Sequence, residues 1–129
     1  MNTILVEVSV GELLDKISIL EIKKEKIKDF EKLKFINDEY EVLKDQLDKN
    51  VKSNEKIDKL FQTLKEINSK LWVIEDDKRL CEKNSDFSEK FIKLSRDVHF
   101  LNDNRAKIKL EINHHTGSKI KEIKKYTTY

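Results

Sequence analysis

A chain of 129 residues has room for one core and not for two. Charged residues make up 40% and hydrophobic residues 37%, with no Pro and two Gly. Such a chain folds only if its apolar residues are periodic, and here they are, so the composition predicts long helices with charged outer faces. The net charge is +2, and Lys alternates with Glu along every helical segment. That pattern lacks the uninterrupted basic stripe of a general nucleic-acid binder, and no run approaches the ~20 apolar residues of a membrane span.

Cys81 is the only cysteine, which excludes an intrachain disulfide and a thiolate metal cluster. Its position in a helical seam suits a small buried hydrophobe. The first ten residues carry no basic region and cleavage site of a secretory signal, so the expected location is the cytoplasm.

Residues 3–8 (TILVEV) are β-rich and too short for a helix; they predict a short strand or extended arm that needs a pairing partner. Ser9 and Glu12 have capping-box spacing and open the first helix. Nothing breaks it before about residue 50, which gives an expected helix over 9–50. Its apolar residues form two lines. Leu13, Ile17, Leu20, Ile27, Ile36, Tyr40, Leu43 and Leu47 make the first; Ile19, Ile22, Phe30 and Leu33 widen the face, as a helix touching two neighbours requires.

Residues 49–55 are polar and form the first turn. The second helix, expected over 54–83, has its seam at Ile57, Leu60, Leu64, Ile67, Leu71 and Ile74. A polar stripe, Asn68, Trp72, Glu75 and Arg79, runs beside that seam. Residues 83–85 form the second turn, and the third helix is expected over 86–116. Its seam is Phe87, Phe91, Leu94, Val98, Leu101, Arg105, Ile108 and Ile112. Arg105 is the single polar member and demands a carboxylate partner; Asp103, Glu66, Asp38 and Glu39 fall at suitable levels. Gly117 closes the helix, and residues 118–129 form a basic tail.

The expected fold is all-α: an elongated antiparallel three-helix bundle or coiled coil, one domain over residues 1–117. A first helix of forty-odd residues spans roughly 60 Å, against roughly 45 Å for each of the others. The overhang carries Leu13, Leu14, Ile17 and Leu20, which predicts a homodimer interface there. The same layout puts the N-terminal strand and the C-terminal tail at opposite ends of the bundle.

Asn68, Trp72, Glu75 and Arg79, with Asn102 and Arg105 facing them, form the candidate ligand-binding set: a flat ring for stacking and two guanidinium groups for an anion. The bland reading is a core Trp, an ordinary Glu–Arg helix pair and a register-fixing Arg, and it weighs more. Glu75-Asp76-Asp77 lacks the paired carboxylate spacing of helical nucleotide pyrophosphohydrolases, so no metal is assigned. His114 and His115 are adjacent and diverge on a helix. No catalytic residue and no cofactor is read from the chain.

Three segments carry a resemblance. Residues 10–23 read VGELLDKISILEIK, residues 68–79 read NSKLWVIEDDKR and residues 102–113 read NDNRAKIKLEIN. Together they resemble an uncharacterised family, a domain of unknown function, of small helical bacterial and phage proteins. The resemblance spans nearly the whole chain and implies Asp15, Lys16, Asn68, Trp72, Glu75, Asp76, Arg79, Asn102, Asp103 and Arg105 as motif positions. It implies no activity. The sequence therefore leads to a non-enzymatic interaction or assembly module acting as a homodimer, with a further protein partner open and neither membrane nor nucleic acid expected. The alternative is an enzyme or binder for a small anionic ligand, nucleotide-like or sugar-nucleotide-like, at the polar set.

Overall fold

The computed structural model describes residues 2–129, and among them it holds four helices and no strand. Helix α1 spans Val10–Lys26, α2 Phe30–Asn50, α3 Glu55–Lys83 and α4 Glu89–Thr116. Local chemistry sets most of these ends. Ser9, Asp29 and Asn54 each accept a hydrogen bond from the backbone N–H three residues on, at 3.0, 3.0 and 2.9 Å. Gly117 ends α4 in the left-handed conformation, φ 66°, where a Cβ would be strained.

The expected single helix over 9–50 is two helices. Ile27 and Asp29 take extended backbone angles, and Asp29 caps α2. No Gly or Pro marks this break; only the capping Asp does. α2 folds back along α1, so both apolar lines have members on each of the two helices, and Phe30 of the second line is exposed. Tyr40 sits beneath Lys24, 3.6 Å from ring centroid to ammonium, and its hydroxyl donates to Glu21 at 3.3 Å.

α3 and α4 form an antiparallel hairpin, and α1 lies against both. The angle between α1 and α3 is steep. Asp15 and Ser18 both reach Asn68, while Glu21 and Glu25 both reach Lys65. A step of ten positions along α1 is thus matched by a step of three along α3. The backbone of α2 approaches α1 alone. The core joins Leu14 of α1, Ile57, Leu60 and Leu64 of α3, and Ile112 of α4, with Leu47, Val51, Phe61 and Ile108 around it.

The expected three-helix bundle is therefore replaced by two helical hairpins packed on each other, and the N-terminal strand is absent. Residues 2–8 run exposed, with Leu5 at 93% and Ile4 at 84% accessibility. The expected overhang on the first helix does not exist either. Leu14, Ile17 and Leu20 are buried within the chain and Leu13 is half-buried, because α2 returns along α1 while α3 and α4 pack across it. The overhang belongs instead to the α3–α4 hairpin. No residue of α4 before Lys109 is buried, and on α3 only Cys81 is buried beyond Leu71. The N-terminal arm and the tail start side by side, not at opposite ends: the Val10 N–H donates to Ser118 Oγ at 3.2 Å.

Candidate functional site

Gly11, Asp15, Ser18 and Ile22 are spaced four, three and four apart, so they form one stripe along α1, and all four are buried. The stripe combines small and polar residues, which lets the α1 backbone come close to α4 and carries one acid inward. A Cβ on Gly11 would lie 2.5 Å from the Lys109 carbonyl oxygen. The Gly11 N–H donates to Asn113 Oδ1 at 2.6 Å, which locks the start of α1 to the end of α4.

Asp15 is the hub. Arg105 holds it with two hydrogen bonds, one from Nε at 3.0 Å and one from Nη2. Asn68 Nδ2 donates at 2.8 Å to Asp15 Oδ1 and at 2.8 Å to Ser18 Oγ, and Ser18 Oγ donates to the Asp15 carbonyl at 2.7 Å. Lys109, buried, donates to Glu12 at 2.7 Å and to Glu122 of the tail at 2.9 Å, with Asp15 at 3.9 Å. Among the described residues, no buried side-chain nitrogen or oxygen lacks a partner.

These contacts fix the charges. Burial raises the Asp15 pKa, but the hydrogen bonds from Arg105 and Asn68 and the positive charges of Arg105 and Lys109 outweigh it, so the group sits below its usual 3.8. Burial likewise opposes the charge on Lys109, yet its hydrogen bonds to Glu12 and Glu122 hold it above its usual 10.5. Both Asp15 oxygens are in use and its side chain is 2% exposed, so no lone pair faces solvent to act as a general base. The arrangement is that of a clamp between three helices.

The expected ligand set divides. Asn68 and Arg105 come together, joined by Asp15. Trp72 is half-buried further along α3; Glu75 and Arg79 are exposed and, among the described residues, form no ion pair with each other. Asn102 borders a cavity of about 1030 Å³ between α4 and the tail, with Lys107, Lys109, Glu122 and Tyr129. The partner of Arg105 is Asp15, and not Asp103, Glu66, Asp38 or Glu39, because α1 rather than the middle of a long first helix passes its level. Residue chemistry alone does not single out Ser18, Lys109, Asn113 or Glu122, and it reads Glu12 as a capping-box residue, whereas its carboxylate pairs with Lys109. For Ser18 the available signal is the four-three-four stripe on α1.

A second cavity of about 630 Å³ is an open groove along the α3–α4 hairpin. Ser69, Lys70, Val73 and Ile74 line it from α3, and Asp97, Phe100 and Leu101 from α4. Among the described residues, no three His, Cys, Asp or Glu side chains converge as metal ligands would, and no helix is long and apolar enough to cross a membrane.

The model of a family of unknown function, DUF6165, matches residues 4–129. The chain belongs to this family. The match takes in both hairpins, the whole Asp15 cluster and the tail, so the family's extent coincides with the fold described above. No curated protein and no solved structure matches the chain.

Proposed function

We propose that this family member is a non-enzymatic interaction module that acts as a homodimer, and that its working surface is the projecting half of the α3–α4 hairpin. The observation that carries this reading is an exposed apolar row on that half. Val73 is 48% exposed, Leu80 51% and Phe100 46%, and Val73 and Phe100 line the open groove. Two helices alone leave each seam covered from one side only, so a hairpin of this length gains stability from a further layer. The paired state of Asp15 and Arg105 supports the non-enzymatic part. Those groups tie α1 to the hairpin and leave the hairpin's free side for docking.

Sedimentation equilibrium over a wide range of protein concentration tests the reading. The expected result is a reversible dimer that Phe100→Asp converts to monomer without loss of helix content. A wild-type monomer at several hundred micromolar overturns it.

The second reading, a small anionic ligand, draws on the cavity between α4 and the tail, where Lys107 and Lys109 lie near Asn102. Glu122 already occupies Lys109 there. A thermal shift with nucleotides or sugar nucleotides that is lost in Lys107→Ala would favour this reading.

A further inference from the structure

We infer that two copies stack their α3–α4 hairpins face to face about a two-fold axis parallel to the hairpins, with α3 of each copy lying along α4 of the other. This rests on the homodimer reading and specifies its geometry.

The argument starts from levels. Asn68 and Arg105 stand level across the hairpin, since both reach Asp15. Five residues toward the tip on each helix come Val73 and Phe100, which border the same groove. Seven further on come Leu80 and Lys93; two residues the other way from Asn68 and Arg105 come Glu66 and Lys107. Seven-residue steps keep to one face of a helix. Glu66, Val73 and Leu80 thus form one row on α3, and Lys107, Phe100 and Lys93 the matching row on α4. All six residues are exposed; Tyr129 of the tail rests edge-on against Phe100 and has to swing aside on docking.

Two stackings of these faces have two-fold symmetry. With the axis along the hairpins, levels are preserved and α3 meets α4 of the other copy. Glu66 then faces Lys107, Val73 faces Phe100, and Leu80 faces the aliphatic stem of Lys93, each pairing occurring twice. With the axis across the hairpins, each helix meets its own copy reversed about Val73 or Phe100. Lys93, paired with Asp97 at 2.8 Å, then faces Lys107 twice, and Glu66 faces Leu80. This arrangement loses both Glu66–Lys107 pairs and sets Glu66 against an apolar side chain, which counts against it. Pairs at the solvent-facing rim are of both signs and weigh little in water. The charge pattern therefore selects the first arrangement, in which the apolar centre is flanked by two Glu–Lys pairs.

Size sets the expected strength. Two helices each about 10 Å wide, over about 25 Å of length, give roughly 1,000 Å² buried in total, the lower bound for a specific interface. The dimer should dissociate in the micromolar range.

The test uses Glu66→Lys and Lys107→Glu, each alone, mixed in equal amounts, and combined in one chain, all followed by sedimentation equilibrium. Circular dichroism melts confirm that these exposed substitutions leave the fold intact. Each single variant places like charges at both pairs and should raise the dimer dissociation constant by about tenfold or more. The mixture should recover association as a heterodimer. There the lysine introduced at position 66 of one copy meets the glutamate introduced at position 107 of the other, and native Lys107 meets native Glu66. The double variant should recover the homodimer. If the wild type dimerises but neither single variant weakens it, or neither the mixture nor the double variant recovers association, the arrangement is overturned while the homodimer stands. If the wild type is monomeric throughout, both fall.

Discussion

At the scale of single residues, Asp15 is the most consequential group. Asp15→Asn keeps the size and one acceptor but leaves the Arg105 charge uncompensated beside two amides. Breaking a buried pair from one side costs about 3–5 kcal/mol; Arg105 is 28% exposed, so water offsets part of this, and a loss of about 3 kcal/mol is expected in urea unfolding. The pH dependence follows from the same contacts. Asp15 titrates below 3.8 when folded, so its contribution is complete above that value and is lost as pH falls through the folded pKa. Lys109 titrates above 10.5 when folded, so its contribution is complete below that value and is lost as pH rises through the folded pKa. The urea midpoint should therefore fall at both extremes, with Glu122, lowered from 4.5, adding to the acid limb and Tyr40, raised from 10.0, to the alkaline one. In Asp15→Asn the acid limb should flatten while the alkaline limb persists through Glu12 and Glu122.

At the scale of elements, the contact of α1 with α4 depends on having no side chain at residue 11. Gly11→Ala forces the Lys109 backbone away, at an expected cost of about 1–3 kcal/mol by thermal unfolding. Gly117→Ala meets nothing within 4 Å, and its cost of about 1 kcal/mol comes from φ alone. The two variants separate crowding from backbone strain at neighbouring helix ends. The same scale shows what can be read from the chain. The seam of α3 and that of α4 from Phe91 on follow from three-and-four spacing, since each repeat must face its partner. Phe87, expected in that seam, precedes α4 and is 55% exposed, because the helix starts at Glu89 and not at residue 86. The break at residues 27–29 is hidden because Ile-Lys-Asp is compatible with helix, and only the tertiary return of α2 decides it. The partner of Arg105 is hidden for a related reason. A buried Arg states that an acid is near, but 90 positions of chain separate it from Asp15, and periodicity says nothing about which helix crosses at its level. Asn68 and Arg105 are visible as polar residues at or beside seams. Glu75 and Arg79 have the same spacing and face solvent, because the α1 clamp reaches the hairpin only as far as Asn68.

At the scale of the whole molecule, the tail is an accessory. Tyr129 rests edge-on against Phe100, ring centroids 5.5 Å apart, and donates to Asp103; Glu122 is a second acid on Lys109, which Glu12 already pairs. Truncation after Ser118 should lower stability by no more than about 1 kcal/mol. Because it also uncovers Phe100, it should tighten self-association, measurable as a lower dimer dissociation constant. The long sequence separation within the Asp15 cluster also bears on synthesis. α1 leaves the ribosome early, yet Lys109, Asn113 and Arg105 follow some ninety to a hundred residues later. At about 5–20 residues per second, Leu14, Ile17 and Leu20 wait on the order of 5–20 s without their covering helices. For the first part of that interval, until α3 emerges, α2 is the one neighbour already made. The three-residue return at residues 27–29 thus gives the nascent chain a local hairpin that shields α1 until the far end of the molecule arrives.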